Sequence, residues 1–315
     1  MTLQQLKYVH AVATERHFGN AAALCRVSQP TLSVQLKKLE AEMGSPLFDR
    51  SQQPIVLTEV GQQVHLTAVR ILEELGGLSD WMDGTTERMD GTLRLAVLPT
   101  LASSLLPRLM PRLLHDCPDL KVSVWERTTA DMLKDLHKGD IDVGILVTPL
   151  TNSNLRCESV FMEPMHAYLH QDHDAAGIPA GQLTAADLPI ESMLLLEEGH
   201  CFRTQVIQLC GAPKRGEQLG FKYESGSIET LKRLVRQSGG CTLIPGLEAL
   251  ENPNDPALRR FADPQPAREV SLAVRPHYHR EALLHGLKDI LQRVVPSSFH
   301  TKPSYKRIPW MAHEM

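Results

Sequence analysis

The residues from His17 to Leu39 constrain this chain more than any other stretch. They predict two short helices joined by a tight turn. Ala21, Ala22 and Ala23 in the first are small enough to let a second helix cross closely. The second opens on Ser28, a good N-cap, and carries Pro30 in its first turn, where a missing N–H costs little. Leu32, Leu36 and Leu39 are spaced four and three apart and define one buried stripe. The opposite face offers Gln29, Thr31, Ser33, Gln35 and Lys37, side chains of the right length and polarity for base edges and phosphates in a major groove. This is a helix-turn-helix pattern, and a plain αα-hairpin inside a globular domain would share its spacing.

At 315 residues the chain has room for two or three domains, and 42% hydrophobic with 22% charged residues is ordinary for a soluble protein. No apolar run is long enough to span a membrane, and the N-terminus lacks a signal-peptide pattern, so a cytoplasmic protein is expected. The net charge of −4 does not suggest a nucleic-acid binder, but the first fifty residues carry six basic side chains against four acidic ones. A mildly basic head on an acidic body fits a DNA module attached to something else, and so small an excess needs an oligomer to accumulate phosphate contacts.

Beyond the head, Thr58 is placed to cap a long helix whose apolar positions Val64, Ala68, Ile71, Leu75, Leu78 and Met82 follow a coiled-coil seam. Gly76-Gly77 predicts a kink or fraying there, and the polar stretch from Asp83 to Gly91 reads as a hinge. The body alternates strand and helix. Strands are expected at Leu93–Leu98, Leu120–Glu126 and Ile141–Val147, with a helix from Leu101 to His115 broken by Pro107 and Pro111 and another from Ala130 to Lys138. That rhythm predicts a parallel, helix-covered sheet. A second such unit is expected from about Ser159 to Ala262, with a strand at Met193–Leu196. The strand Val270–Val274 and the helix Arg280–Val294 then return to the first. The tail from Pro296 to Met315 has no periodicity and is expected to be loosely ordered or useful only in packing. The expected architecture is α/β: a winged helix-turn-helix over 1–58, a linker helix and hinge over 59–90, a regulatory domain over 91–296 and a tail over 297–315. Within the regulatory domain, subdomain I takes 91–160 and 266–296, and subdomain II takes 161–265.

The chemistry concentrates at Leu196-Glu197-Glu198-Gly199-His200-Cys201-Phe202-Arg203. Cys201 falls at the expected start of a helix, where backbone N–H groups and the flanking His200 and Arg203 would stabilise a thiolate and lower its pKa. Cys210 lies nine residues on. On one helix the two are about 13 Å of rise apart on opposite faces, whereas a disulfide needs Cα atoms within about 7 Å. Joining them requires the segment to be remodelled, which is the geometry of a switch. Two of six cysteines falling within ten residues by chance gives the same spacing. Cys25, Cys117, Cys157 and Cys241 read as structural thiols, and His166, His170 and His173 lack the framework of a metal site. No phosphate loop or nucleophile elbow occurs, and no cofactor or metal is expected.

Phe18 with the alanine run, Val27-Ser28-Gln29-Pro30-Thr31-Leu32-Ser33, Leu47-Phe48-Asp49-Arg50 and Leu57-Thr58-Glu59-Val60-Gly61 resemble the N-terminal winged helix-turn-helix of LysR-type transcriptional regulators. The resemblance implies DNA contacts from Ser28, Gln29, Pro30, Thr31, Ser33, Gln35 and Lys37, and a wing whose Arg50, Ser51, Gln52 and Gln53 touch the DNA backbone. It also implies a two-subdomain body similar to periplasmic binding proteins, and contact with RNA polymerase. The string Leu195 to Arg203 with Cys210, together with Leu98-Pro99-Thr100, Gly226 to Leu231 and Thr242 to Pro245, resembles the peroxide-sensing OxyR branch of that family. On that resemblance Cys201 is the peroxidatic thiolate and Cys210 the resolving thiol. Thr100, Thr129, Gly199 and His200 bind hydrogen peroxide, with Arg268 near the thiol. The segment Gly211–Gly220 departs from the branch. The expected function is a redox-switched, homotetrameric transcription factor rather than an enzyme. A LysR-type regulator that senses a metabolite in the cleft between its subdomains is the alternative, and a thiol peroxidase is a third reading.

Overall fold

The helix caps form where the short polar residues call for them. In this computed structural model, which describes all residues except 83–88, 151–152, 189–192, 198–200, 212–225, 301–304 and 309–315, α1 (Leu3–Glu15) begins with a capping box between Thr2 and Gln5. After α2 (Phe18–Leu24), Ser28 caps α3 (Gln29–Met43), its hydroxyl accepting from Thr31 N at 3.3 Å, and Gly44 ends that helix at φ 68°. Leu32, Leu36 and Leu39 are fully buried and pack with Val9, Val12, Ala21 and Leu47. The hairpin of β1 (Phe48–Asp49) and β2 (Val56–Leu57) is the wing.

Thr58 caps α4 (Glu59–Met82), its hydroxyl accepting from Gly61 N at 2.9 Å. A Cβ on Gly61 would lie 1.9 Å from the Leu47 carbonyl oxygen, so only glycine lets this turn approach the wing. The helix runs on through Gly76-Gly77 without interruption, where fraying was expected; two glycines cost about 2 kcal/mol, less than a helix of this length can sustain. Of the hinge expected over Asp83 to Gly91, residues 83–88 lie outside the described residues, and Gly91 already begins the next strand.

The α1 and α4 helices meet through His10 and His65, stacked with ring centroids 5.3 Å apart and Nδ1 to Nε2 at 3.1 Å. Burial, then the His10 and Lys138 charges, push the His65 pKa down to about 4. Folding therefore favours the neutral ring. Stability is complete above the unfolded value of about 6.5 and falls between there and pH 4, where only the unfolded chain takes up the proton. Melting curves between pH 7.5 and 4.5 are expected to show a loss of about 3 kcal/mol, which His65→Leu removes.

Residues 1–88, 134–141 and 275–282 form one compact unit, and residues 89–133, 142–274 and 283–315 the other. The second unit holds β3 (Gly91–Val97), α5 (Pro99–Asp116), β4 (Leu120–Glu126), the start of α6 (Thr129–Lys138), β5 (Val143–Thr148), β6 (Arg156–Leu169), α7 (Cys201–Cys210), α8 (Ile228–Ser238), β7 (Cys241–Pro245), the short α9 (Gly246–Ala249), β8 (Leu258–Arg260), β9 (Gln265–Val274), most of α10 (Glu281–Val294) and β10 (Tyr305–Arg307). One sheet runs β4-β3-β5-β9-β6-β7, with β8 on β6 and β10 on β9.

The expected parallel rhythm holds for β4, β3 and β5. The second half differs: β6 is antiparallel to β7, β8 and β9, so this part is built around one long strand rather than a second βαβ unit. Met193 makes only a bridge to Cys241. The helix α5 is unbroken, because Pro107 and Pro111 both lie on its exposed side, where the carbonyls they leave unpaired can meet water. The tail is not loose throughout: β10 pairs in parallel with β9, and Ile308 is buried in the core beneath β6 and β7.

Candidate functional site

Arg268 and Glu163 face one another across β9 and β6, in direct register and with both side chains wholly buried. Arg268 Nε donates to Glu163 Oε2 at 2.7 Å, and Leu247 N donates to Glu163 Oε1 at 2.9 Å, so both carboxylate oxygens are satisfied. The rest of the guanidinium turns to the start of α5. Nη1 donates to Thr100 Oγ1 and Nη2 to the Thr100 carbonyl, each at 3.0 Å. Its carbon lies 5.5 Å from the centre of the Phe202 ring, the residue next to Cys201. One planar cation thus ties two strands to the first turns of α5 and α7, a task that suits the fixed fork of arginine.

Cys201 is the first residue of α7 and is buried. Burial raises its pKa. The Arg268 charge, the Thr129 hydroxyl and the backbone N–H groups of Phe202 and Cys201 itself pull the other way. The balance lies above the ordinary thiol value, which corrects the expectation of a lowered pKa. The expected cation is corrected too. Arg203 Nη1 donates to the Leu196 carbonyl at 2.8 Å, and among the described residues the charge that acts on the sulfur is Arg268. Gly199 and His200 lie outside the described residues.

Polar capacity is left over around this thiol. The Thr129 hydroxyl, at the start of α6, is buried and has no nitrogen or oxygen partner among the described residues. Gln205, one turn along α7 on the face of Cys201, is completely buried and neither of its amide atoms has a partner among the described residues; nor does the buried hydroxyl of Ser104, one turn along α5 from Thr100. Unpaired buried amides and hydroxyls are costly; a small polar guest would satisfy them. Sequence reasoning missed Gln205, Ser104 and Glu163. The i+4 spacing from Cys201 and from Thr100 was the available signal for the first two.

Cys210 closes the same helix, half-buried against the core that includes Cys241. Burial, with a contribution from Cys241, pushes its thiol up to about 12. Both Cys201 and Cys210 are free thiols, at opposite ends of a continuous ten-residue helix.

In the head, Ser28, Gln29, Pro30, Thr31 and Lys37 are exposed, and Ser33 and Gln35 are half-buried. On the wing, Arg50 pairs with Glu40 at 2.8 Å and lies over Phe18, while Asp49 accepts from Ser51 and Gln52. These contacts hold the exposed wing tip in shape.

Residues 3–62 match the model of bacterial regulatory helix-turn-helix proteins of the lysR family, and residues 86–296 match the LysR substrate binding domain. The chain belongs to the LysR family. A relative from Pectobacterium carotovorum subsp. carotovorum, named hydrogen peroxide-inducible genes activator, is 33% identical over 88% of this chain and 91% of its own length. The DNA-binding transcriptional dual regulator OxyR of Escherichia coli (strain K12) is 33% identical over 88% and 90%. Among solved structures, a full-length OxyR variant from Pseudomonas aeruginosa superimposes with a TM-score of 0.81 at 31% identity, over 93% of this chain and 98% of that one. A hydrogen-peroxide-bound OxyR variant from Corynebacterium glutamicum gives a TM-score of 0.60 at 27% identity, over 93% and 92%. Among the described residues no helix is long and apolar enough to cross a membrane.

Proposed function

We propose that this LysR-type regulator senses hydrogen peroxide through Cys201 and stores the signal as a Cys201–Cys210 disulfide. The observation that carries the reading is the polar cluster at the start of α7. There the Arg268 charge and the Thr129 hydroxyl act on the buried Cys201 thiol, and the amide of Gln205 has no partner among the described residues. Thr100, Thr129, Gln205 and Arg268, with Gly199 and His200, would hold the peroxide. The Cys201 thiolate attacks one peroxide oxygen: an S–O bond forms, the O–O bond breaks, and the departing hydroxide takes a proton to become water. Cys210 then attacks the sulfenic sulfur: the S–S bond forms, the S–O bond breaks, and a second water leaves. Two thiols are oxidised and one peroxide is reduced. A thiol reductant resets the pair.

The reading extends to the partners. Ser28, Gln29, Pro30, Thr31, Ser33, Gln35 and Lys37 would read the major groove, with Arg50, Ser51 and Gln52 on the backbone. The chain would act in the cytoplasm as a homotetramer, paired through the linker helix and the regulatory domains, and would contact RNA polymerase when activating. Mass spectrometry of the thiols after a brief peroxide pulse, with DNA footprints before and after, tests it. The expected result is a Cys201–Cys210 disulfide at low micromolar peroxide together with an altered footprint. Both sulfurs remaining free while the footprint alters would overturn it.

A further inference from the structure

Arg268 sits at a break in the sheet. On one side β9 is paired with β6 from Ala267 to Val274, with one bulge at residue 160. On the other side β5 ends opposite it at Thr148↔Glu269, and β10 covers only Gln265 to Ala267. Arg268 therefore lies between the ends of two strands, and one side-chain pair spans the gap. Arg307, the last residue of β10, pairs with Glu269, whose carboxylate also accepts from Thr148 Oγ1 on β5 and Ser159 Oγ on β6, each at 2.8 Å. A single carboxylate thus joins β10, β5 and β6 one residue away from the arginine whose charge acts on Cys201. Ile308 N donates to the Ala267 carbonyl at 2.9 Å, and the buried Ile308 side chain anchors the strand. Arg307 and Ile308 lie beyond position 296, where the match to the family's domain model ends.

We propose that β10 is a positioning strap and Arg307 a positioning residue, which together hold the β9 segment that presents Arg268 to Thr100 and Cys201. The inference rests on Cys201 being the peroxide-reacting thiol. Without Arg307, the Glu269 carboxylate loses its cation and β9 loses its only side-chain tie across the gap among the described residues. Arg268 then has freedom to leave the geometry that favours the Cys201 anion. Displacements on the order of 1 Å, made far from the reacting atoms, can cost up to about a hundredfold in rate.

The test compares the full-length reduced chain with Arg307→Gln, Arg307→Lys and a chain ending at His300. Two rates are followed by mass spectrometry from pH 7 to 11: disulfide formation with hydrogen peroxide, and alkylation of Cys201 by iodoacetamide. Arg307→Gln is expected to slow the peroxide reaction about tenfold and to move the alkylation midpoint to higher pH. Arg307→Lys should restore most of both, and the shortened chain should match or exceed the Arg307→Gln defect. A merely structural loss would expose Cys201 and speed alkylation at every pH without moving the midpoint, and that result overturns the proposal. So does an Arg307→Gln chain that matches its parent in both measurements, whatever the shortened chain does. A parent chain that forms no Cys201–Cys210 disulfide, yet whose alkylation midpoint still moves with Arg307→Gln, keeps the strap and sinks the peroxide reading instead.

Discussion

Cys201→Ser is expected to abolish the peroxide-induced disulfide and to freeze the DNA footprint in its reduced form at every peroxide concentration. The loss should be complete because nothing nearby can replace this sulfur. Cys210 is the other thiol on the helix, and burial pushes it up to about 12. At neutral pH only roughly one Cys210 in 10⁵ is a thiolate, and the thiolate is the nucleophile. Cys201, although also raised, has a guanidinium, a hydroxyl and backbone donors that favour its anion. Serine keeps the hydrogen-bonding role in a pocket rich in donors, so folding should survive and the defect should read as chemistry. Cys210→Ser gives a different phenotype on the same reading: Cys201 still oxidises, but stops at a sulfenic acid that dimedone can trap. A Cys201→Ser protein that keeps its footprint response would end the account.

The distance between the two sulfurs is what makes the pair a switch. An intact α7 holds Cys201 and Cys210 about 13 Å apart along its axis, well beyond the roughly 7 Å Cα limit for a disulfide. Bringing them together requires the helix to come apart. Phe202 and Val206, both buried in the β6–β7 core, are the side chains most directly at stake. Exposing each costs about 1.5–3 kcal/mol, so the reduced fold is the resting state and covalent bond formation has to drive the change. Helix propensity adds little to this barrier, because Cys201-Phe202-Arg203-Thr204 is a weak helical start. Tertiary packing is what keeps the segment helical.

Much of this was legible locally. Ser28 and Thr58 cap their helices because capping depends on a residue and its next three neighbours. The leucine stripe of α3 is buried as its spacing requires. What failed was set by residues distant in sequence. Pro107 and Pro111 suggest a broken helix until the sheet decides which side of α5 faces solvent. The length of β6 was hidden by Pro164 within it, a residue that argues against a central strand unless its missing N–H falls where no ladder bond is needed. The cation for Cys201 was sought in its immediate neighbours, but Arg203 is turned to a carbonyl. The effective charge comes from Arg268, whose own partner Glu163 is 105 residues away with no shared pattern. Thr100, Thr129 and Arg268 were placed at the thiol by resemblance to the family, not by any spacing among them.

Arg268→Leu is expected to produce the largest loss of stability of any single change in the regulatory domain, and its interpretation needs a second substitution. The variant strands Glu163 as a wholly buried carboxylate that keeps only the Leu247 N–H among the bonds described. Breaking a buried pair from one side costs about 3–5 kcal/mol, largely through the charge left behind. It also leaves the Thr100 hydroxyl and carbonyl without their donors. Arg268→Leu combined with Glu163→Leu removes both charges and should recover most of that stability, since well-packed apolar side chains often replace a buried ion pair with no net loss. Reactivity should not recover. With the guanidinium gone, burial alone governs Cys201, and its oxidation profile should shift to higher pH in the double variant as in the single one. Arg268→Lys separates charge from shape. An ammonium supplies the cation but cannot make the paired bonds to Thr100 together with the bond to Glu163, so a partial rescue of rate without rescue of stability is expected. Urea unfolding of the four proteins, with peroxide titration of each, separates the two roles. A double variant that regains its stability and oxidises like the parent would show that Arg268 braces the fold and does nothing for the sulfur.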